Sequence, residues 1–162
     1  MSLSRNRRTS PTTRHGGFTL LEVMVALVIF SIGLLGLAGL QSQSLRYNHS
    51  AYLKTQASYM AYDILDRMRA NREAAIAGRY NADDTTEGND EGCDTSTATC
   101  STDYMALHDI YEWKQLVSDT LPEGTASVAQ DPVNEDLFTI TIAWEDPGTP
   151  DEVSDYQLRS RI

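Results

Sequence analysis

Apolar side chains fill almost every position from Phe18 to Leu40, a run of 23 residues whose only ionisable side chain is Glu22. A helix needs roughly 20 such residues to cross the hydrocarbon core of a bilayer, so this run is long enough to span one. Beyond Leu40 the continuous run gives way to a period. Leu53, Ala57, Met60, Ala61, Ile64, Leu65 and Met68 recur at steps of three and four, while Lys54, Gln56, Asp63, Asp66, Arg67 and Arg69 fill other faces. That is one stripe of an amphipathic helix. No proline stands between Phe18 and Gly78, so the pattern predicts one helix from about Phe18 to about Ala77, with Gly78 as its C-cap. At 1.5 Å per residue it would be roughly 90 Å long, far more than a bilayer requires. Its first half belongs in lipid or a helical bundle, and its second half against a folded domain.

The helical period returns from Tyr104 to Ser118, with Leu107, Ile110, Tyr111 and Val117 as an inner face, Trp113 beside them and Asp103 placed to cap the start. Leu121-Pro122-Glu123-Gly124 ends it. Three strand-like pieces follow. Thr125 to Gln130 is short. In Leu137 to Trp144, Phe138, Ile140, Ile142 and Trp144 alternate with Thr139, Thr141 and Ala143. After the turn Asp146-Pro147-Gly148-Thr149-Pro150, Asp155 to Ile162 can return as a last strand. Between the two helices, Asn81 to Gly92 is polar, acidic and aperiodic, which reads as a surface loop. The element order implies an α+β fold: a long N-terminal helix followed by a small antiparallel sheet.

Charge adds an orientation. Met1 to Gly17 carries Arg5, Arg7, Arg8 and Arg14 and no acid. Arginines beside an apolar span stay cytoplasmic, so the amino end is expected inside and the carboxyl end outside. Losing these four arginines takes the formal charge from −10 to −14. So acidic an outer domain is a poor partner for nucleic-acid backbone, which wants clustered Lys and Arg. Cys93 and Cys100, the chain's two cysteines, lie beyond the span on the oxidising side, where a disulfide is expected. With His108 they lack a fourth ligand at zinc spacing. The carboxylates of the acidic loop do not follow the spacing of a calcium-binding loop.

Within this pattern Gly17-Phe18-Thr19-Leu20-Leu21-Glu22 stands out. A cut between Gly17 and Phe18 would remove the basic leader and place a new ammonium group four residues before Glu22. A carboxylate from a neighbouring copy can pair with that cation, and a buried pair is tolerated where a lone charge is not. The stretch resembles the class III signal of type IV pilins. That resemblance implies cleavage after Gly17 by a membrane prepilin peptidase, N-methylation of Phe18 by the same enzyme, and a docking role for Glu22 during assembly. It also implies the pilin fold. Ile32-Gly33-Leu34-Leu35-Gly36-Leu37-Ala38-Gly39-Leu40-Gln41, the Asp66-Arg67-Met68-Arg69-Ala70-Asn71 core, Asp109-Ile110-Tyr111-Glu112-Trp113 and Leu121-Pro122-Glu123-Gly124 are further similar to the type IV pilus modification protein family PilV. That narrower likeness implies a minor pilin. Its partners would be sibling minor pilins, the major pilin, the inner-membrane assembly platform and a tip adhesin. It would sit in the inner membrane before assembly and at the fibre tip afterwards.

On these grounds the chain divides into a leader (1–17), a membrane and assembly helix (18–40) and a periplasmic domain (41–162). Gly33, Gly36 and Gly39 allow either local bending or close packing of the span. No nucleophile–base constellation, phosphate loop or dinucleotide fingerprint accompanies His49 or His108, so neither an enzyme nor a cofactor is expected. Asp103 and Asp109 read as a cap and a solvated side chain rather than an acid–base pair. Arg67, Arg69 and Asn71 read as bonding either the sheet edge, a partner or a structural network. A type II secretion pseudopilin shares the same signal, and a DNA-receptor pilin is the alternative that the acidity opposes.

Overall fold

The computed structural model describes residues 16–93, 99–146 and 153–162. The leader arginines, the interior of the Cys93–Cys100 ring and the turn over 147–150 lie outside them. The chain forms two compact units, Met1–Ser42 and Gln43–Ile162. Helix α1, Leu20–Ala70, contributes to both.

In the first unit α1 is long and apolar enough to cross a membrane, and none of its apolar stretch is buried. Leu21, Ile29, Phe30, Leu35 and Leu40 all stand exposed. A contiguous apolar surface of this kind marks a lipid or protein contact.

In the second unit α1 buries Leu53, Ala57, Met60, Ala61, Ile64, Leu65 and Met68, which are the residues of the sequence stripe. The helix does not run on to Ala77. It ends at Ala70, and a short helix α2, Arg72–Ile76, follows. Asn71 separates them, at φ −112° and ψ 50°. Its side-chain amide donates to Thr102 O at 2.7 Å and to the Tyr80 hydroxyl at 3.3 Å, contacts that draw the chain out of the helical path. Gly78, at φ +77°, closes α2. Gly78 N–H donates to Ala75 O and Arg79 N–H to Ala74 O, both at 2.9 Å, the pairing that a left-handed residue after a helix permits.

Helix α3 is Thr102–Thr120. Its cap is Ser101, whose hydroxyl accepts from Tyr104 N–H at 3.3 Å. Asp103, the expected cap, instead pairs with Arg79 at 3.2 Å. The inner face of α3 is Ala106, Ile110, Trp113 and Val117, and Trp113 Nε1–H donates to Met60 O of α1 at 2.9 Å. Leu107 and Tyr111 are only half-buried, because the acidic loop rather than the core lies over them. Asn89 N–H donates to Leu107 O, and Gly88, at φ +69°, lies so close that a Cβ there would stand 2.6 Å from Tyr111 N. The loop is thus bound to α3 as well as solvated.

Three strands, β1 Thr125–Gln130, β2 Leu137–Glu145 and β3 Val153–Arg161, form one antiparallel sheet in that order. Phe138, Ile140, Ile142 and Trp144 of β2 are buried, and their alternation places them on the core side. They share one hydrophobic cluster with α1 and α3. The fold is α+β and pilin-like: a long N-terminal helix with a small antiparallel sheet.

Candidate functional site

Gly16 to Thr19 has no regular structure, and Gly17 and Phe18 are exposed, Phe18 by 83%. A Cβ added at Gly17 would meet nothing within 4 Å, and its φ is outside the left-handed region. Neither space nor backbone conformation within the chain demands glycine there. A requirement for it would come from a molecule that reads the Gly17–Phe18 bond from outside.

Thr19 begins the helix. Its hydroxyl accepts from Glu22 N–H at 3.2 Å, and its carbonyl accepts from Val23 N–H at 3.3 Å. Thr19-Leu20-Leu21-Glu22 therefore follows the spacing of a capping box, in which an N-cap hydroxyl satisfies one of the helix's free N–H groups. A Thr-x-x-Glu signal was present in the sequence, and reading Glu22 for its charge alone passes over it. Glu22 lies in the first turn, where the helix dipole favours an anion. Its side chain is exposed.

Gly33, Gly36 and Gly39 sit within unbroken helix, and a Cβ at each would meet nothing within 4 Å. Cys93 and Cys100 form a disulfide with their Cα atoms 5.8 Å apart.

A second cluster joins α1 and α3 to Asn71 and Tyr80, which flank α2. Arg67 is held by Asp63 at 3.1 Å, Glu112 at 2.7 Å and Asp109 at 3.4 Å. Burial opposes its charge, but Glu112, Asp63 and Asp109 outweigh that and raise its pKa. Asp109 is buried, not solvated as its sequence position suggests, and accepts from the buried Tyr80 hydroxyl. Burial first, and then the bond to Asp109, push the Tyr80 phenol well above its ordinary value. Asn71 completes the cluster through its bond to Tyr80. Arg69 reaches instead for the end of β3, at 3.4 Å from Arg161 O. Arg67 and Asn71 thus serve an internal network, and Arg69 serves the sheet. Tyr80 is a member that sequence reasoning missed, because a lone Tyr beyond the end of a helix carries no periodic signal.

His49 is exposed, and His108 is buried between Asp90 at 3.4 Å and Glu112 at 3.6 Å. Among the described residues no group of three His, Cys, Asp or Glu side chains is arranged to hold a metal. Asp83 holds a local turn: Thr86 and Thr85 donate hydroxyl and backbone hydrogens to one of its oxygens, which holds its pKa at about 2.

Residues 12–38 match the family model described as the prokaryotic N-terminal methylation motif. No curated protein and no solved structure matches the chain. The motif supports a type IV pilin-like protein, and it implies processing by a prepilin peptidase and assembly with other pilins. With the membrane-capable helix it supports anchoring in a membrane before assembly.

Proposed function

We propose that the chain is a minor pilin of a type IV pilus. It is cut after Gly17, methylated on Phe18, and docked through Glu22 into a complex of minor pilins that primes the fibre and caps its tip. In this reading it is a structural subunit and a substrate of the peptidase. It is held amino end inward in the inner membrane until the assembly platform extracts it, and it then meets the major pilin and a tip adhesin.

The observation that carries the reading is the juxtaposition at the start of α1. An exposed Gly17–Phe18 bond stands immediately before a helix whose first turn holds Glu22 and whose following surface is apolar and uncovered. Such a helix leaves lipid only if its apolar area is buried again, at about 25 cal/mol per Å². A bundle of like helices supplies that burial, and the new ammonium group gives Glu22 a charge partner. Gly33, Gly36 and Gly39 let those helices approach or bend. The Cys93–Cys100 disulfide closes its short loop in the periplasm.

The experiment is intact mass and amino-terminal sequencing of the chain from sheared fibres. The expected species begins at N-methyl-Phe18. Replacing Gly17 by Leu should leave the unprocessed chain, longer by the leader, in the membrane. A mature chain that begins elsewhere, or one absent from fibres, overturns the reading.

A further inference from the structure

The acidic loop, Asn81 to Gly92, crosses α3 as a strap fastened at both ends. At its start Ala82 exchanges two backbone bonds with Val128 of β1, at 3.0 and 2.8 Å, and Asp83 O accepts from Lys114 Nζ of α3. Just past its far end the Cys93–Cys100 disulfide ties it to the residue before Ser101, the cap of α3. The middle is held more lightly. Asn89 N–H donates to Leu107 O at 3.2 Å, and Gly88 lies against Leu107 and Tyr111. Gly88 and Gly92, at φ +69° and +61°, bracket this middle, so the chain turns on either side of it through backbone conformations that other residues resist.

Against this middle lies His108. Its side chain is only 6% exposed, and neither ring nitrogen has a hydrogen-bond partner. Nδ1 is 3.4 Å from Asp90 of the strap, and Nε2 is 3.6 Å from Glu112, one turn on along α3. Both distances exceed those of a good N–H···O bond by about half an ångström or less. A buried ring without partners is destabilising, and a neutral ring has one N–H to offer two carboxylates, whereas an imidazolium has two. Both carboxylates are already aimed. The Asp90 oxygen that faces His108 also accepts from Gly92 N–H at 3.0 Å. Glu112 uses its other oxygen on Arg67 of α1, at 2.7 Å, so it can serve two cations. Asp109, beside His108 in sequence, is held by Arg67 and Tyr80, Asp63 by Arg67, and Glu91 of the strap by Asn89. The charged groups that face the ring are the two acids Asp90 and Glu112.

We propose that His108 is a pH-sensitive latch for the strap. Protonated, it draws Asp90 and Glu112 into charge-assisted bonds and fixes the segment from Gly88 to Gly92 on α3. Neutral, it leaves one carboxylate facing a lone pair, and the strap lifts more readily. Burial under the strap disfavours the charge, but only the charged ring satisfies both nitrogens at once. The sign follows from Asp90. The seated strap adds a carboxylate to the ring, so it holds the second imidazole proton more tightly than the lifted strap does. Seating therefore strengthens as pH falls from about 8 to about 5, the range in which imidazoles take up that proton, and weakens as pH rises. Lifting uncovers Leu107, His108 and Tyr111. The latch lies within the second compact unit, Gln43–Ile162, and does not depend on the pilin reading.

The test is amide hydrogen exchange of the full chain in detergent, read at Asn89, whose N–H is bonded to Leu107 O while the strap is seated. Its protection, corrected for the intrinsic pH dependence of exchange, should be at least about threefold greater at about pH 5.5 than at about pH 7.5. Asp90→Asn keeps the size of the side chain and removes its charge, and it should bring that ratio within about 1.5-fold of unity. His108→Gln should do the same. Gly88→Ala, whose Cβ would stand 2.6 Å from Tyr111 N, should lower the protection at both pH values. Protection of the unmodified chain that is equal at the two pH values or greater at the higher one, a ratio that survives Asp90→Asn, or protection indifferent to Gly88→Ala overturns the proposal. Should His108→Gln fail to fold, Asp90→Asn still decides, since the Asp90 side chain is 61% exposed.

Discussion

Thr19 and Glu22 share the first turn of α1. The Thr19 hydroxyl satisfies a backbone N–H at 3.2 Å, while the Glu22 carboxylate stays exposed. The local role of Thr19 and the assembly role proposed for Glu22 can therefore be separated by mutation. Thr19→Ala should cost about 1 kcal/mol of helix start and leave incorporation into sheared fibres within about twofold, since a membrane helix is held by far more than its first turn. If Glu22 docks as proposed, Glu22→Ala should lower incorporation by more than about tenfold, because a neighbour's terminal ammonium group would be buried without its charge partner. Quantitative immunoblots of the fibre fraction measure both, with processing checked by mass. Equal losses would reduce Glu22 to a helix-start residue. Asp109 teaches the reverse lesson. Its sequence neighbours mark it as solvated, but its environment is set by Arg67 and Tyr80, which are distant in sequence.

The elements were legible where a period repeats. The α1 stripe and the alternation of β2 match burial at every residue named, because each element has one face on the core. Ends were harder to read. The helix breaks at Asn71 because a side-chain amide found partners on Thr102 and Tyr80, and nothing local announces them. At the start of α3, Ser101 and Asp103 are both plausible caps, and the structure selects Ser101 while Arg79 takes Asp103. Ser101→Ala should therefore destabilise the folded domain by about 1 kcal/mol. Asp103→Ala should cost less than about 0.5 kcal/mol, as for other exposed ion pairs. Urea unfolding of the detergent-solubilised chain, followed by fluorescence of the buried Trp113 and Trp144, measures the difference. The reverse order would reassign the cap.

At the scale of the folded domain, the Tyr80–Asp109–Arg67–Asn71 cluster ties α1 and α3 to Asn71 and to the chain beyond α2. Its pH dependence follows from Tyr80. The folded phenol is raised above its ordinary value of 10.0, so the folded state holds that proton more tightly than the unfolded chain. The resulting stability is complete below pH 10 and is lost as pH rises above it. Unfolding free energy should therefore fall with alkalinity from about pH 10. Tyr80→Phe should remove that slope and cost about 1–3 kcal/mol at neutral pH, by leaving Asp109 without its phenol donor. Chemical denaturation at pH 8 and at pH 11 tests both. An unchanged alkaline slope in Tyr80→Phe would place its origin elsewhere.

The sequence by itself determined what is local or periodic: the membrane-length run, the Gly17–Phe18 signal with Glu22, the core stripe of α1, the small sheet, and two cysteines close enough to pair. Each depends on neighbours a few residues away or on a repeat that a helix or strand converts into one face. Tertiary structure alone decided the burial of Tyr80 and Asp109, the break at Asn71 and the binding of the acidic loop to α3. These depend on which distant backbone and side-chain groups meet, and a hydrogen bond is a property of that meeting rather than of either partner's place in the chain.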